Sequence, residues 1–432
     1  MTDAATSRLQ LALDEANLAQ ALRVAREAVE GGVDWIEAGT PLIKSEGLDA
    51  VRRLRAAFPG VPVVADMKTM DAGRMETEMA AKAGASAVMV LGAASDGTVR
   101  DAVEAGRNHG VQVGVDLVGV ADPVARAREV EAMGAAFVSV HCPIDDQMSG
   151  KDPFATLTAV AAAVGLPVSV AGGINSETAA RAVSAGAATV VVGGAITKAE
   201  NATEAARAIK RAMRTGEAVR TTLFKRVGAD DLRALLMQVS TCNISDAMHR
   251  AGALRGILPV QPGLRMAGRA VTVRTYPGDW AKPVQAIEAA EEGDVLVIDA
   301  CGQPPAVWGE LAVESCLQRK LGGVVVDGAI RDVDAIRRLG FPAFASHWCP
   351  NAGEPRGLGQ INVPVVVGGQ AVAPGDWVVG DDSGVVVLPA ARAVEIANRS
   401  MDVFERENRL RKEIRAASSL AQVMELLRWE KK

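Results

Sequence analysis

Short apolar runs recur through the first half of the chain at intervals of about 25 residues. They are LQLALD from Leu9, VDWIEAG from Val33, PVVADMK from Pro62, SAVMVLG from Ser86, QVGVDLV from Gln112, AFVSVHC from Ala136, PVSVAGG from Pro167 and ATVVVGG from Ala188. Each is brief and rich in Val, as a strand buried on both faces should be. Ala-rich stretches with helical spacing lie between them, and several stop at Gly, which suits the left-handed end of a helix. Eight such strand–helix units predict a closed parallel (β/α)8 TIM barrel. An open doubly wound sheet is the alternative, but no Gly-rich dinucleotide turn follows the first run.

The texture changes after about residue 238. Residues 203–237 read as helix with a break at Thr215–Gly216, which predicts a helical linker over 215–238. Beyond it come RAVTVRTY, DVLVIDA, GGVVVDG, PVVVGG, DWVVGD and GVVVLP, separated by Pro and Gly turns. They predict a mixed, β-rich second domain over 239–390, then a charged helical tail over 391–432. The tail's ERENRLRKEIR run reads as a solvated or subunit-bridging helix. The barrel accounts for residues 1–214.

The chain's 432 residues are too many for one core, so two domains are expected. A net charge of -5 offers no bulk attraction to nucleic acid or to an anionic membrane. The five cysteines, Cys142, Cys242, Cys301, Cys316 and Cys349, have no regular spacing and suggest neither a disulfide framework nor structural zinc. Without a basic-then-apolar leader or a run long enough to span a bilayer, a cytoplasmic enzyme is expected.

Polar residues fall at the ends of the predicted strands: Asp14, Glu37, Asp66 with Lys68, Asp116 and His141. A barrel's active site lies at the C-terminal ends of its strands, so these groups are expected on one rim. Taken singly, Asp14 could cap a helix, Glu37 could pair with Lys44, and His141 could sit satisfied in a core. Their shared position argues against that. Facing carboxylates beside one Lys imply a cation, and Glu37 and Asp66 are hard oxygen ligands suited to Mg²⁺. The last two strands end in Gly172–Gly173 and Gly193–Gly194, where barrels commonly hold phosphate on backbone N–H groups.

ADMKTMDAG at residues 65–73 carries the D-x-K-x-x-D motif of the orotidine-monophosphate decarboxylase superfamily. With LALD, IEAGTPLIKSEG, VLGAA, VDLVGV, VHCPIDDQ, VAGGI and VVGGAIT, roughly the first 212 residues closely resemble the 3-hexulose-6-phosphate synthases. That resemblance implies Mg²⁺-dependent aldol condensation of formaldehyde with ribulose 5-phosphate. It also implies barrel dimers in which Asp71 reaches the neighbouring site. The 3-keto-gulonate-6-phosphate decarboxylases share the scaffold, but their pattern has Arg three residues after the strand-six His, where this chain has Ile144. Under the synthase reading His141 is the candidate base, and Asp14, Asp71 and Asp116 orient Lys68 and the sugar hydroxyls.

In the second domain, Glu310 is followed by twenty residues and then Arg331–Asp332. Arg suits a carboxylate through its planar fork and Asp suits a divalent metal, although a surface ion pair is an equally simple reading. STCNISDAM, GRAVTV, GDVLVIDACG, FPAFASHWCP and APGDWVVGDDSGVVVLP resemble the family of the regulator of ribonuclease activity A and the class II 4-hydroxy-4-methyl-2-oxoglutarate aldolases. The resemblance implies a swivelling β/β/α domain, often trimeric. It implies a second Mg²⁺ on Asp332, a pyruvate-type oxo-acid on Arg331, and amides of the Gly302–Gly309 loop completing the anion site. A non-catalytic oligomerisation or protein-binding module is the competing reading, and dimeric barrels with trimeric second domains would make a hexamer.

Overall fold

The computed structural model describes residues 7–15, 17–223, 225–416 and 419–423. The chain divides into two compact units, one of residues 1–147, 151–226 and 405–432, the other of residues 148–150 and 227–404.

In the first unit eight parallel strands close on themselves: β1 Arg8–Leu13, β2 Trp35–Ala38, β3 Val63–Thr69, β4 Ala87–Leu91, β5 Gln112–Asp116, β6 Phe137–His141, β7 Val168–Ala171 and β8 Thr189–Val192. The strand period of two sorts the side chains. Leu9, Leu11, Ile36, Val63, Val88, Val113, Val138, Val168 and Val190 point outward into the large core shared with the helices. Trp35, Val64, Ala87, Met89 and Phe137 form a separate apolar cluster inside the barrel. Gly114 is forced to be small there, since a Cβ would meet the Phe137 ring at 2.2 Å. Two residues further along the same faces stand Glu37, Asp66, Asp116 and, beyond Ser139, His141. The polar rim is the next layer above an apolar floor.

The second unit is layered as expected for a β/β/α domain. Parallel strands Met266–Arg274, Val295–Asp299, Gly323–Ile330 and Ala343–Trp348 are extended by the antiparallel pair Trp377–Asp381 and Gly384–Leu388. Helices Ala281–Ala289, Glu310–Gln318 and Val333–Leu339 pack on one face, through Ile287, Val313 and Ile336 against Leu296, Val324 and Val326. The hairpin Val365–Val367 with Gln370–Val372 covers the other, against Val295, Val297 and Val325.

Two expectations need correction and one strand is added. The linker is not helical throughout: the helix Ala202–Thr215 stops at Gly216 in the left-handed region, and among the described residues of 217–238 only Leu232–Leu236 is helical. Strand Ala343–Trp348 was not anticipated as a strand, because AFASHW loses its apolar alternation where it emerges from the sheet. The tail forms a helix Ala393–Arg415, but its charge run is not a solvated face: Glu405, Arg409 and Glu413 are buried. The rest of the tail's helical reading over 417–418 and 424–432 lies outside the described residues. No described helix is long and apolar enough to cross a membrane.

Candidate active site

Lys68 is the hub of the barrel's rim. The β3–β4 register shifts between Ala65 and Thr69, and Lys68 takes a left-handed φ of 46°. Such an irregularity re-aims a side chain at a strand's end. Its Nζ donates to both Asp66 oxygens, at 3.0 and 2.7 Å, and to Asp116 Oδ2 at 2.9 Å. Burial works against the ammonium charge, but Asp66 and then Asp116 outweigh it and hold the lysine's pKa above its ordinary value. Thr40 Oγ1 lies 2.9 Å from Asp66 Oδ2 and fixes the carboxylate from the other side.

Asp116 Oδ2 also meets His141 Nδ1 at 3.0 Å, while its Oδ1 accepts the Val118 N–H at 2.9 Å. Burial would raise the acid, yet the hydrogen bond from His141, its charge and Lys68 bring it down to about 2. An ionised carboxylate can only accept, so the Nδ1 of His141 carries the proton. In the neutral ring Nε2 is then left with its lone pair, which is the form a general base needs.

Glu37 is buried and takes a short hydrogen bond from Gln10 Nε2. Burial, then the nearby charges of Asp66 and Asp14, push its carboxyl well above the usual range. Asp14 is raised by the same kinds of cause, burial first and Asp66 second. Gly39 packs directly on Asp14: an added Cβ would fall 2.1 Å from Asp14 Oδ1. Gly193 borders it as well, since a Cβ there would lie 3.6 Å from Asp14 Oδ2.

Thus Asp14, Glu37, Asp66, Lys68, Asp116 and His141 are gathered on one rim, with Gly193 beside Asp14. Gly172 and Gly173 follow β7 with φ of 100° and 74°, and a Cβ on Gly172 would meet Cys142 O at 2.4 Å. Asp71 does not join the cluster within one chain; it is exposed and accepts the Ala72 N–H at 2.7 Å. Sequence reasoning missed Gln10, Thr40 and Glu15. Gln10 could have been found, because it sits on the interior face two strand periods before Asp14. Among the described residues no three His, Cys, Asp or Glu side chains come close enough to form a metal site unaided.

In the second unit, Asp332 has a left-handed φ of 56° and stands just before the helix Val333–Leu339, without a side-chain hydrogen bond to that helix's N–H groups. Its Oδ2 accepts the Glu310 N–H at 3.2 Å and lies 3.4 Å from Arg331 Nε. Gly309 admits this approach, since a Cβ would sit 2.6 Å from Asp332 Oδ2. A cleft lined by Glu310, Asp332, Arg337, Arg338 and Trp348 opens beside them. Arg337 lies over the Trp348 ring at 5.1 Å, and the sequence reading had passed over both. The Gly302–Gly309 stretch is only partly loop: Ala306–Trp308 is a strand, and the Ala306 N–H is committed to Asn351 O at 3.0 Å.

Two families match the chain. Orotidine 5'-phosphate decarboxylase / HUMPS family matches residues 7–209, and RraA-like: Aldolase/RraA matches residues 241–387. The chain is 43% identical over 206 residues to 3-hexulose-6-phosphate synthase of Mycobacterium gastri, covering 48% of this chain and 99% of that protein. It is 39% identical over 204 residues to the enzyme of the same name from Bacillus subtilis (strain 168), covering 47% of this chain and 97% of that protein. The solved structure of Streptomyces coelicolor RraAS2, an unusual member of the RNase ES inhibitor RraA protein family, is 31% identical. It covers 43% of this chain and 100% of its own, with a TM-score of 0.39. By its barrel the chain belongs to the orotidine 5'-phosphate decarboxylase / HUMPS family, alongside the 3-hexulose-6-phosphate synthases, and it carries an RraA-like domain after that barrel.

Proposed function

We propose that the barrel is a carbon–carbon lyase that condenses formaldehyde with ribulose 5-phosphate through an enediolate. The observation that carries this reading is the shared oxygen: Asp116 Oδ2 holds both His141 Nδ1 and Lys68 Nζ, so a base and a cation are fixed against each other. His141 Nε2 takes a proton from C1 of the sugar, and the electron pair moves towards the C2 oxygen. The Lys68 ammonium steadies the charge that develops there. C1 then attacks the carbon of formaldehyde, and the proton is delivered to the former aldehyde oxygen. Gly172, Gly173, Gly193 and Gly194 cradle the phosphate.

The residues present fit a divalent cation. Glu37 and Asp66 are hard, adjacent and mutually repelling, and burial first, then the charges of Asp66 and Asp14, raise the Glu37 carboxyl. Mg²⁺ is commonly held by only one or two carboxylates with water or substrate oxygens, so a two-carboxylate set suffices. When bound, the ion would withdraw charge from the sugar's carbonyl and hydroxyl oxygens.

For the second domain we propose a Mg²⁺-dependent, pyruvate-type aldolase or oxo-acid decarboxylase, with Asp332 on the metal and Arg331 on the substrate carboxylate. The left-handed Asp332 and the cleft beside it support this. A barrel acting as a 3-keto-gulonate-6-phosphate decarboxylase, with a non-catalytic second domain, is the other reading; Ile144, exposed at the arginine's position in that pattern, weighs against it. A cytoplasmic homo-oligomer, with Asp71 serving a neighbouring barrel, belongs to the same proposal. The test is formaldehyde loss from full-length protein with ribulose 5-phosphate and Mg²⁺. No loss, or full turnover in excess chelator, overturns the reading.

A further inference from the structure

Two stretches outside the eight βα units are laced into the first unit, residues 217–226 and 405–415. The second is the more informative. Glu405, Arg409 and Glu413 recur every four residues and so form one buried charged stripe. Arg409 donates through Nη1 and Nη2 to the two oxygens of Glu27, both at 2.9 Å, and through Nε to Glu413 at 3.2 Å. Its Nη1 also lies 3.4 Å from Ala199 O.

These partners are not arbitrary. Glu27 is on the helix Leu18–Glu30, which follows β1 and Asp14. Ala199 closes the turn that begins with Gly193–Gly194 after β8. Glu27 ties the same region down again: its Oε2 accepts the Ala202 N–H at 3.2 Å, and its carbonyl accepts Thr203 Oγ1 at 2.7 Å. One guanidinium therefore joins the helix that follows Asp14 to the segment that follows the glycine turn. The first stretch does the same behind Gly172–Gly173, where Ser176 Oγ donates to Val219 O at 2.7 Å and the Thr221 N–H donates to Glu177 Oε1 at 2.9 Å.

A bidentate pair between a buried guanidinium and a half-buried carboxylate adds little net stability once its desolvation is counted, but it allows only a narrow geometry. Its value here is therefore positional. We propose that Arg409, from the C-terminal helix, is a positioning residue for the barrel's phosphate site, holding the helix after β1 and the segment after β8 at the spacing a bound phosphoryl group requires.

This rests on the reading of the glycine turns as a phosphate cradle. The test uses full-length protein with Arg409→Lys, which keeps the charge but loses the fork, and with Glu27→Gln. Amide exchange over 193–203, measured without substrate, should quicken in both variants while exchange in β4 stays as in the wild type. The KM for ribulose 5-phosphate should rise about tenfold, with kcat within about twofold and the KM for formaldehyde unchanged. Unchanged exchange over 193–203, or faster exchange with an unchanged KM, would overturn the proposal. If the wild type lacks synthase activity, the proposed reaction fails separately, and inorganic phosphate becomes the probe. A roughly tenfold weaker Kd in Arg409→Lys then sustains the positioning role, and equal Kd values end it.

Discussion

His141 Nδ1 and Lys68 Nζ converge on a single oxygen, Asp116 Oδ2, at 3.0 and 2.9 Å. An aspartate so placed sets the histidine's tautomer and the lysine's direction together. Asp116→Asn keeps the size but must turn its amide towards one donor or weaken its hold on both. The expected loss in kcat is about 10²- to 10⁴-fold, with a parallel loss of C1 proton exchange in ribulose 5-phosphate, followed by NMR in deuterated water. His141→Ala should abolish that exchange, and wild-type exchange rates in His141→Ala would remove it as the base. Because the Asp116 carboxyl sits at about 2, its stabilising effect is present above the ordinary 3.8 and is lost only as pH falls through 2. An acid limb of the rate profile near neutrality therefore belongs to another group.

Gly39 is the tightest steric constraint on the rim. Its φ of -65° and ψ of 157° suit any residue, so the need for glycine is spatial. A Cβ would fall 2.1 Å from Asp14 Oδ1 and 2.6 Å from Leu13 O. Gly39→Ala should cost about 1–3 kcal/mol and displace Asp14, lowering kcat. Gly60→Ala is the control, because a Cβ there meets nothing within 4 Å. Equal melting temperatures for the two variants would contradict this packing.

The barrel was legible because its alternation is strict: Leu9, Leu11 and Leu13 face the helices while Gln10 faces the interior. The rim was legible for the same reason, since Asp66 and Asp116 end runs of Val. What was hidden depends on partners distant in sequence. The run around Arg409 has the composition of a solvated helix, and its contact with Glu27, 382 positions away, turns it inward. Glu15 was hidden in another way, as an ordinary acidic residue beside a more conspicuous aspartate.

Glu15 gives a pH prediction. Its Oε2 is enclosed and takes no hydrogen bond among the described residues, and burial pushes its carboxyl up to about 7. The folded state thus holds a proton that the unfolded chain releases near 4.5. Stability from the neutral acid is full below 4.5 and is lost as pH rises through 7. Glu15→Gln removes the titration, so its advantage over the wild type should grow across that window by about 2–3 kcal/mol. Parallel melting curves from pH 4 to 8 would count against a proton-holding Glu15.

Crowded acids predict a cation-dependent melting temperature. At a hundredfold excess over Kd, a ligand seen only by the folded state adds about 2.7 kcal/mol, or several degrees. Mg²⁺ should produce such a shift in the wild type. Glu37→Gln should lose most of it, while its own melting temperature without Mg²⁺ holds or rises, because a buried, charge-starved acid has been neutralised. An undiminished Mg²⁺ shift in Glu37→Gln would exclude Glu37 as a ligand.

The second domain is best tested in a full-length chain whose barrel is silenced by Lys68→Ala, so that any remaining oxo-acid chemistry comes from elsewhere. Arg331 and Asp332 are adjacent in sequence, and the left-handed backbone at Asp332 turns the aspartate back towards Glu310 N, beside the cleft. Strained non-glycine geometry of this kind is more usual at sites with work to do than at surface ion pairs. Mg²⁺-dependent decarboxylation of oxaloacetate is therefore expected from Lys68→Ala protein. A further Arg331→Lys change should lower kcat/KM about 10- to 100-fold, because an ammonium cannot grip a carboxylate with two parallel bonds. Absence of turnover in the Lys68→Ala chain would instead assign this domain to binding or assembly, and equal rates in the two proteins would move the carboxylate from Arg331 to the neighbouring Arg337 or Arg338.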